Sequence, residues 1–222
     1  MMIKTNARRG FTLVELSIVL VIIGLIIGAV LTGQQIIQNA RVTKALNDIQ
    51  SYEAQFQTYQ QNFGALPGDD RQGDTRFSNP KVTGHGDGNG VIGDSVTDAF
   101  SINCEVANSS ENCLVWADLR AAGLIKNQLP ITGRPPNPFG GVYAFQNGAF
   151  TASSNANCSS PPTTTVLCLN NVPAAAAQSI DTQLDDGNAC SGIIQATTGS
   201  SAYGAQATDY SSGGSYVVCV RL

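Results

Sequence analysis

Arg8-Arg9-Gly10-Phe11-Thr12-Leu13-Val14-Glu15-Leu16, followed by an apolar run to Leu31, decides how this chain is built. From Phe11 to Leu31 the only ionisable side chain is Glu15. At about 1.5 Å per residue the stretch makes a helix of roughly 31 Å, enough to cross a hydrocarbon layer about 30 Å thick. Lys4, Arg8 and Arg9 precede it. The positive-inside rule therefore keeps the N-terminus in the cytoplasm and sends everything after Leu31 across the membrane. An ordinary secretory signal has an apolar region of roughly 7–15 residues and is cut on its far side. Here the polar-to-apolar boundary lies at Gly10/Phe11, ahead of the apolar segment. A cut at that boundary removes residues 1–10 as a leader and leaves the helix in the mature chain.

Glu15 is the costly residue of the span. Insertion scales place a charge at the centre of a membrane helix at roughly 2.5–3.5 kcal/mol, so a carboxylate near one end calls for a partner. No Lys or Arg lies within the span. Cutting after Gly10 would create an amine on Phe11, a cation four residues from Glu15. Opposite charges attract strongly in low dielectric, and the pairing can run within one chain or between neighbours. Gly24 and Gly28 form a Gly-x-x-x-Gly pair, with Gly33 a turn later. Glycines are common in membrane helices, and they also offer a smooth face on which helices approach closely.

Beyond Gly33 the helical pattern continues in water. Val42, Leu46, Ile49, Tyr52, Phe56, Tyr59 and Phe63 recur at steps of three and four, one apolar face of a helix, with polar residues between them. Gly64 and Pro67 end it. The expected organisation is thus a leader (1–10), a membrane helix (11–33), an amphipathic continuation (34–63) and a head (64–222). The fold class is α+β: a long N-terminal helix packed on an antiparallel sheet.

The head is rich in Gly, Ser, Thr and Asn, and holds Cys104, Cys113, Cys158, Cys168, Cys190 and Cys219. An even cysteine count confined to the translocated side implies disulfides in an oxidising compartment. Sequential pairing (Cys104–Cys113, Cys158–Cys168, Cys190–Cys219) is the expectation. A metal centre is disfavoured because no C-x-x-C occurs and His85 is the only histidine. Cys113–Ala122 reads as a short helix with Trp116 in the core. Asn147-Gly148 between Val142–Phe145 and Ala149–Thr151 is a strong hairpin signal. Thr164–Leu169 and Tyr216–Arg221 read as strands, and Pro173–Leu184 as a helix. Long irregular loops are expected between Asp69 and Glu111 and between Gly192 and Gly214.

One loop offers a ligand site. Gly84-His85-Gly86-Asp87-Gly88-Asn89-Gly90-Val91-Ile92-Gly93-Asp94 sets Asp87, Asn89 and Asp94 at the alternation that calcium loops use. The match is incomplete, with Ile92 where an EF-hand has glycine, so a glycine-rich turn with solvated carboxylates is the plainer reading. Gly93-Asp94-Ser95-Val96 superficially resembles an esterase motif, but the one histidine precedes the serine. There is no phosphate-binding glycine loop. Without the leader, nine of the twelve basic side chains face sixteen acidic ones, a net charge of −7. Such a chain is a poor nucleic-acid binder, and Arg71, Arg76 and Lys81 make at most a small local patch.

The segment from Arg9 to Leu31 resembles the cleavage and methylation segment of type IV pilins and type II secretion pseudopilins. The resemblance implies that a prepilin peptidase cuts between Gly10 and Phe11 and that Phe11 becomes N-methylated. It also implies that Glu15, fifth in the mature chain, meets the terminal amine of an adjacent subunit as the helix passes from membrane to filament. Pro136-Asn137-Pro138-Phe139-Gly140-Gly141-Val142-Tyr143 is loosely similar to the entry to the sheet of major pseudopilins. Many pilins have a proline near the position of Thr32, where this chain has none; Gly33 could serve as the point of bending. The expectation is a non-enzymatic subunit of a type IV pilus-like filament, held first in the bacterial inner membrane with its head periplasmic. Its partners would be copies of itself, related pilins and the peptidase, and it needs no cofactor unless calcium binds the Asp87 loop. A pseudopilin and a membrane-anchored adhesion or binding protein are the alternatives.

Overall fold

The computed structural model describes residues 11–77, 84–93, 99–104, 110–126, 132–151, 158–211 and 213–222. The chain divides into two compact units, Met1–Ala40 and Arg41–Leu222. One helix, α1 (Leu13–Phe63), contributes to both. In the first unit the described side chains are exposed, Gly33 alone being intermediate. Leu13, Val21 and Leu25 expose 91%, 72% and 76% of their surface, so the apolar side chains of this unit stand open.

In the second unit α1 is amphipathic. Val42, Ala45, Ile49, Phe56 and Tyr59 are buried, and Leu46, Tyr52 and Phe63 pack partly buried beside them. Aromatic contacts seat this face: Tyr52 meets Trp116 and Tyr143 edge-on at 5.2 and 5.1 Å, and Phe56 stacks on Phe145 at 5.2 Å. Gly64, at φ +67°, ends the helix by donating its N–H to Gln60 O. That left-handed conformation is cheap only for glycine.

The remaining elements are α2 (Gly73–Arg76), α3 (Glu111–Ala121), β1 (Tyr143–Asn147), β2 (Thr165–Pro173), α4 (Ala174–Leu184), β3 (Ile194–Thr198) and β4 (Ser215–Arg221). The strands form an antiparallel sheet in the order β1-β2-β4-β3, so the C-terminal strand lies inside. Side chains alternate across the sheet with period two. Leu167, Leu169, Val218, Val220 and Phe145 join the core that α1 and α3 cover. Val166, Cys168, Val217 and Cys219 form a second cluster with Ala149, Phe150 and Ala202. Burial on both faces explains why Tyr216-Val217-Val218-Cys219-Val220 is continuously apolar.

Both outer strands have their main-chain groups engaged, which removes the usual template for edge-to-edge pairing. On β1, Tyr143 and Asn147 donate N–H groups to Pro135 O and Ile92 O, and Asn112 Nδ2 donates to Phe145 O at 2.8 Å. On β3, Ala196 N–H bonds Ala189 O, and Ala207 N–H bonds Ala196 O.

Several expectations change. No hairpin forms at Asn147-Gly148: β1 pairs with β2, Gly148 N–H bonds Thr164 O, and Phe150 turns left-handed at φ +67°. That turn brings Phe150 into the second core cluster, and the longer apolar strand β2 takes the ladder instead. Strand β2 runs on to Pro173 through an irregularity between Leu169 and Val172, where Asn171 has φ +60°. The two segments expected to be irregular contain α2 and β3. The disulfides are Cys104–Cys113, Cys158–Cys190 and Cys168–Cys219, so only the first sequential pair survives. Cys168 and Cys219 are register partners on neighbouring strands, and Ser159 N–H bonds Cys190 O, which draws Cys158 to Cys190.

Candidate functional site

The first turn of α1 holds the residue that the sequence singles out. Glu15 Oε2 accepts the Thr12 N–H at 2.8 Å and the Thr12 hydroxyl at 2.9 Å, while Glu15 N–H donates to Thr12 Oγ1 at 3.2 Å. This is a reciprocal capping box, in which residue and cap satisfy each other's free groups at a helix start. Its Thr-x-x-Glu spacing is plain in the sequence, although the charge of Glu15 is what the sequence makes conspicuous. Among the described residues Glu15 bonds to Thr12 and to no cation. Phe11 is 88% exposed, and Gly10 lies outside the described residues. Further along, Gly24, Gly28 and Gly33 have open space where a Cβ would stand, and with Leu25, Ala29 and Ile36 they line a shallow groove.

The glycine-rich loop is organised around carboxylates from elsewhere. Asp69 Oδ1 accepts N–H groups from Gly88 and Asn89 at 2.6 and 3.1 Å, and its Oδ2 accepts that of Gly90 at 2.7 Å. Glu111 accepts those of Asp87 and Gly93 at 3.0 and 2.8 Å. Burial raises the Glu111 carboxyl above its usual range against these two bonds. Of the expected calcium ligands, Asp87 and Asn89 bond each other, Asn89 Oδ1 accepts Val91 N–H, and Asp94 lies outside the described residues. Carboxylate oxygens of Asp69, Asp87 and Glu111 come within 4.8 Å of one another, and those of Asp181, Asp185 and Asp186 do likewise. Sequence reasoning missed Asp69 and Glu111 because they lie far from the loop in the chain.

The turn after α1 carries a third cluster. Tyr59 OH donates to Asp70 Oδ2 at 2.9 Å, and Arg76 bonds both Asp70 oxygens at 2.9 and 3.2 Å. Burial works to raise the Asp70 carboxyl, but bonds from Arg76, Gln72 N–H and Tyr59 prevail and hold it below the usual range. Asp118, alongside, accepts Gly68 N–H at 2.7 Å and is pushed up by burial to about 7. His85 sits 3.5 Å from Asp74 and is exposed, Trp116 is buried in the core, and Ser95 and Lys81 lie outside the described residues. Arg71 donates Nε to Asp87 O, so with Arg76 held by Asp70 the described part of the basic patch is engaged.

A long apolar helix joined to a four-stranded antiparallel sheet defines an α+β, pilin-like architecture. The chain carries the signature that accompanies it: residues 5–31 match the prokaryotic N-terminal methylation motif, the prepilin-type mark of type IV pilins and pseudopilins. Proteins with this motif are structural, and the motif together with the apolar helix fits a membrane-anchored precursor. No curated protein matches the chain.

Proposed function

We propose that the protein is a structural subunit of a type IV pilus-like filament, cut between Gly10 and Phe11 by prepilin peptidase and assembled through α1. The observation that carries this reading is the exposed apolar surface of α1 up to Ile37, whose one acidic residue, Glu15, is capped in the first turn. Such a surface demands lipid, and then, outside the membrane, the equivalent helices of other copies. The Thr12 bonds both fall on Oε2 of Glu15 and leave its charge uncompensated. The amine freed on Phe11 of a neighbouring subunit supplies the missing cation, so correct register is rewarded by charge pairing in a low dielectric. Gly24 and Gly28 let the helices approach.

Three disulfides and covered sheet edges suit a head exposed on a filament surface, which favours a pilus over a periplasmic pseudopilus. The protein works as neither enzyme nor cofactor protein. N–H groups of the Gly84–Gly93 loop supply hydrogen-bond donors to Asp69 and Glu111.

Intact mass and N-terminal sequencing of protein from sheared surface material test the processing, with an N-methylated Phe11 expected. Starting at Met1 would overturn it. Assembly is tested by Glu15→Gln and Thr12→Val. The glutamine retains an acceptor for the cap but no charge, so it should be processed and membrane-bound yet absent from filaments. Wild-type filament yield from Glu15→Gln would refute the charge pairing. Thr12→Val, which keeps the charge, should assemble better than Glu15→Gln.

A further inference from the structure

The connectivity of the disulfides implies a catalyst. Anchored at its N-terminus, the chain delivers its cysteines to the oxidising side in the order Cys104, Cys113, Cys158, Cys168, Cys190, Cys219. This order of delivery rests on the head-out orientation proposed above. Joining cysteines as they arrive makes Cys104–Cys113, which is correct, and then Cys158–Cys168 and Cys190–Cys219, which are not. The bonds of the folded head, Cys158–Cys190 and Cys168–Cys219, interlace: Cys168 lies within the loop closed by the first, and its partner lies beyond it.

Chain statistics favour the wrong pairs independently of orientation. Closure becomes less probable roughly as the three-halves power of loop length, so Cys158 meets Cys168, ten residues away, about sixfold more readily than Cys190, 32 away. Cys168–Cys219 closes 51 residues and requires β4, the last strand, to lie beside β2. Once formed, Cys168–Cys219 is hidden, with 0% and 1% of its cysteines exposed, and in Cys158–Cys190 Cys190 exposes 2% while Cys158 is half-buried. The native pattern is therefore a late, protected state, whereas the early pattern is open to exchange.

We infer that the head matures by thiol–disulfide isomerisation and is a substrate of a dithiol disulfide isomerase. The isomerase thiolate attacks Cys158 Sγ in the Cys158–Cys168 bond, forming a mixed disulfide and releasing the Cys168 thiolate. That thiolate attacks Cys219 Sγ in the Cys190–Cys219 bond, forming Cys168–Cys219 and releasing the Cys190 thiolate. Cys190 then attacks Cys158 Sγ in the mixed disulfide, forming Cys158–Cys190 and returning the isomerase thiolate. Two disulfides enter and two leave, with no net oxidation.

The test uses the full chain, reduced and denatured, then transferred to detergent micelles and oxidised with diamide, which supplies no exchanging thiol. Residual diamide is removed, parallel samples then receive a reduced bacterial disulfide isomerase, and non-reducing peptide mapping reads the pairs. With oxidant alone, peptides linked through Cys158–Cys168 and Cys190–Cys219 should predominate; the isomerase should raise the native pairs several-fold. In Cys158→Ala/Cys190→Ala the remaining native bonds become consecutive, and the isomerase should change the Cys168–Cys219 yield less than twofold. Full native pairing of the wild type with oxidant alone overturns the inference, as does equal isomerase dependence of the double variant. Mapping reads covalent pairs whether or not a variant folds. Head orientation is read separately by protease protection in spheroplasts, so an error there leaves the refolding result intact.

Discussion

Asp118 should make the head less stable as pH rises from about 4 to about 8, a range in which carboxylates ordinarily do the reverse. Its surface is 2% exposed, and it accepts a hydrogen bond from Gly68 N–H. Gly73 packs so closely that a Cβ there would stand 2.8 Å from Oδ1. Asp70 and Asp74 add like charge, and Arg76, already bonded to Asp70, offsets part of it. Burial leads these effects and pushes the carboxyl from the ordinary 3.8 to about 7. The folded state thus holds the proton more tightly than the unfolded chain. The stabilisation is complete below the ordinary value and is lost as pH rises through about 7. At about 1.4 kcal/mol per tenfold change in proton affinity, the gap corresponds to roughly 4 kcal/mol. Glu111 and Asp181, also raised by burial, act in the same direction, whereas Asp70 acts oppositely in more acid solution. Asp118→Asn keeps an acceptor for Gly68 and cannot ionise. Urea unfolding of the full chain in detergent, followed by fluorescence of the lone Trp116 at steps from pH 4 to 8, measures the difference. The wild type should lose several kcal/mol across the range while Asp118→Asn stays comparatively flat. Parallel profiles for the two proteins, or a wild type that gains stability with pH, would refute the assignment.

Gly68→Ala should cost about 2 kcal/mol or more, read by the same urea titration. Its φ is +87°, and a Cβ would lie 2.6 Å from Glu111 O and 2.9 Å from Val115 N, both backbone atoms. Asn112→Ala strips the Phe145 carbonyl of its side-chain donor and should lower stability by about 1–3 kcal/mol, with faster hydrogen exchange along β1. Adding calcium to EDTA-treated protein should leave Tm unchanged, because Asp69 and Glu111 are held by backbone N–H groups; a rise that Asp69→Asn abolishes would establish a cation site.

Features written in short-range spacing were legible in the sequence. The step of three and four from Val42 to Phe63 identified the buried face of α1, and the apolar run behind its basic leader identified the segment that matches the N-terminal methylation motif. Helices α3 and α4 and strand β4 emerged within a residue or two of their observed limits, since composition and stop signals are local. The cap between Thr12 and Glu15 was equally local, but the cost of an intramembrane charge drew the reading toward an external partner.

What escaped was the matching of distant segments. An Asn-Gly pair between apolar stretches carries intrinsic turn preference, yet Phe150 packs into the second cluster and β2, not the segment after Gly148, pairs with β1. β3 was missed because Gln195 and the threonines at 197 and 198 dilute its pattern, although Ala207, Ala189 and β4 supply its hydrogen bonds. Cys168 finds Cys219 only through the register of β2 on β4, and Asp69 and Glu111 reach the glycine loop only because chain folding carries them there. Local spacing encodes the helix, its apolar half and the methylation motif at its start, because one chain segment suffices to carry each. Pairing across tens of residues depends on total burial and hydrogen-bond satisfaction, quantities that exist only once the segments have met.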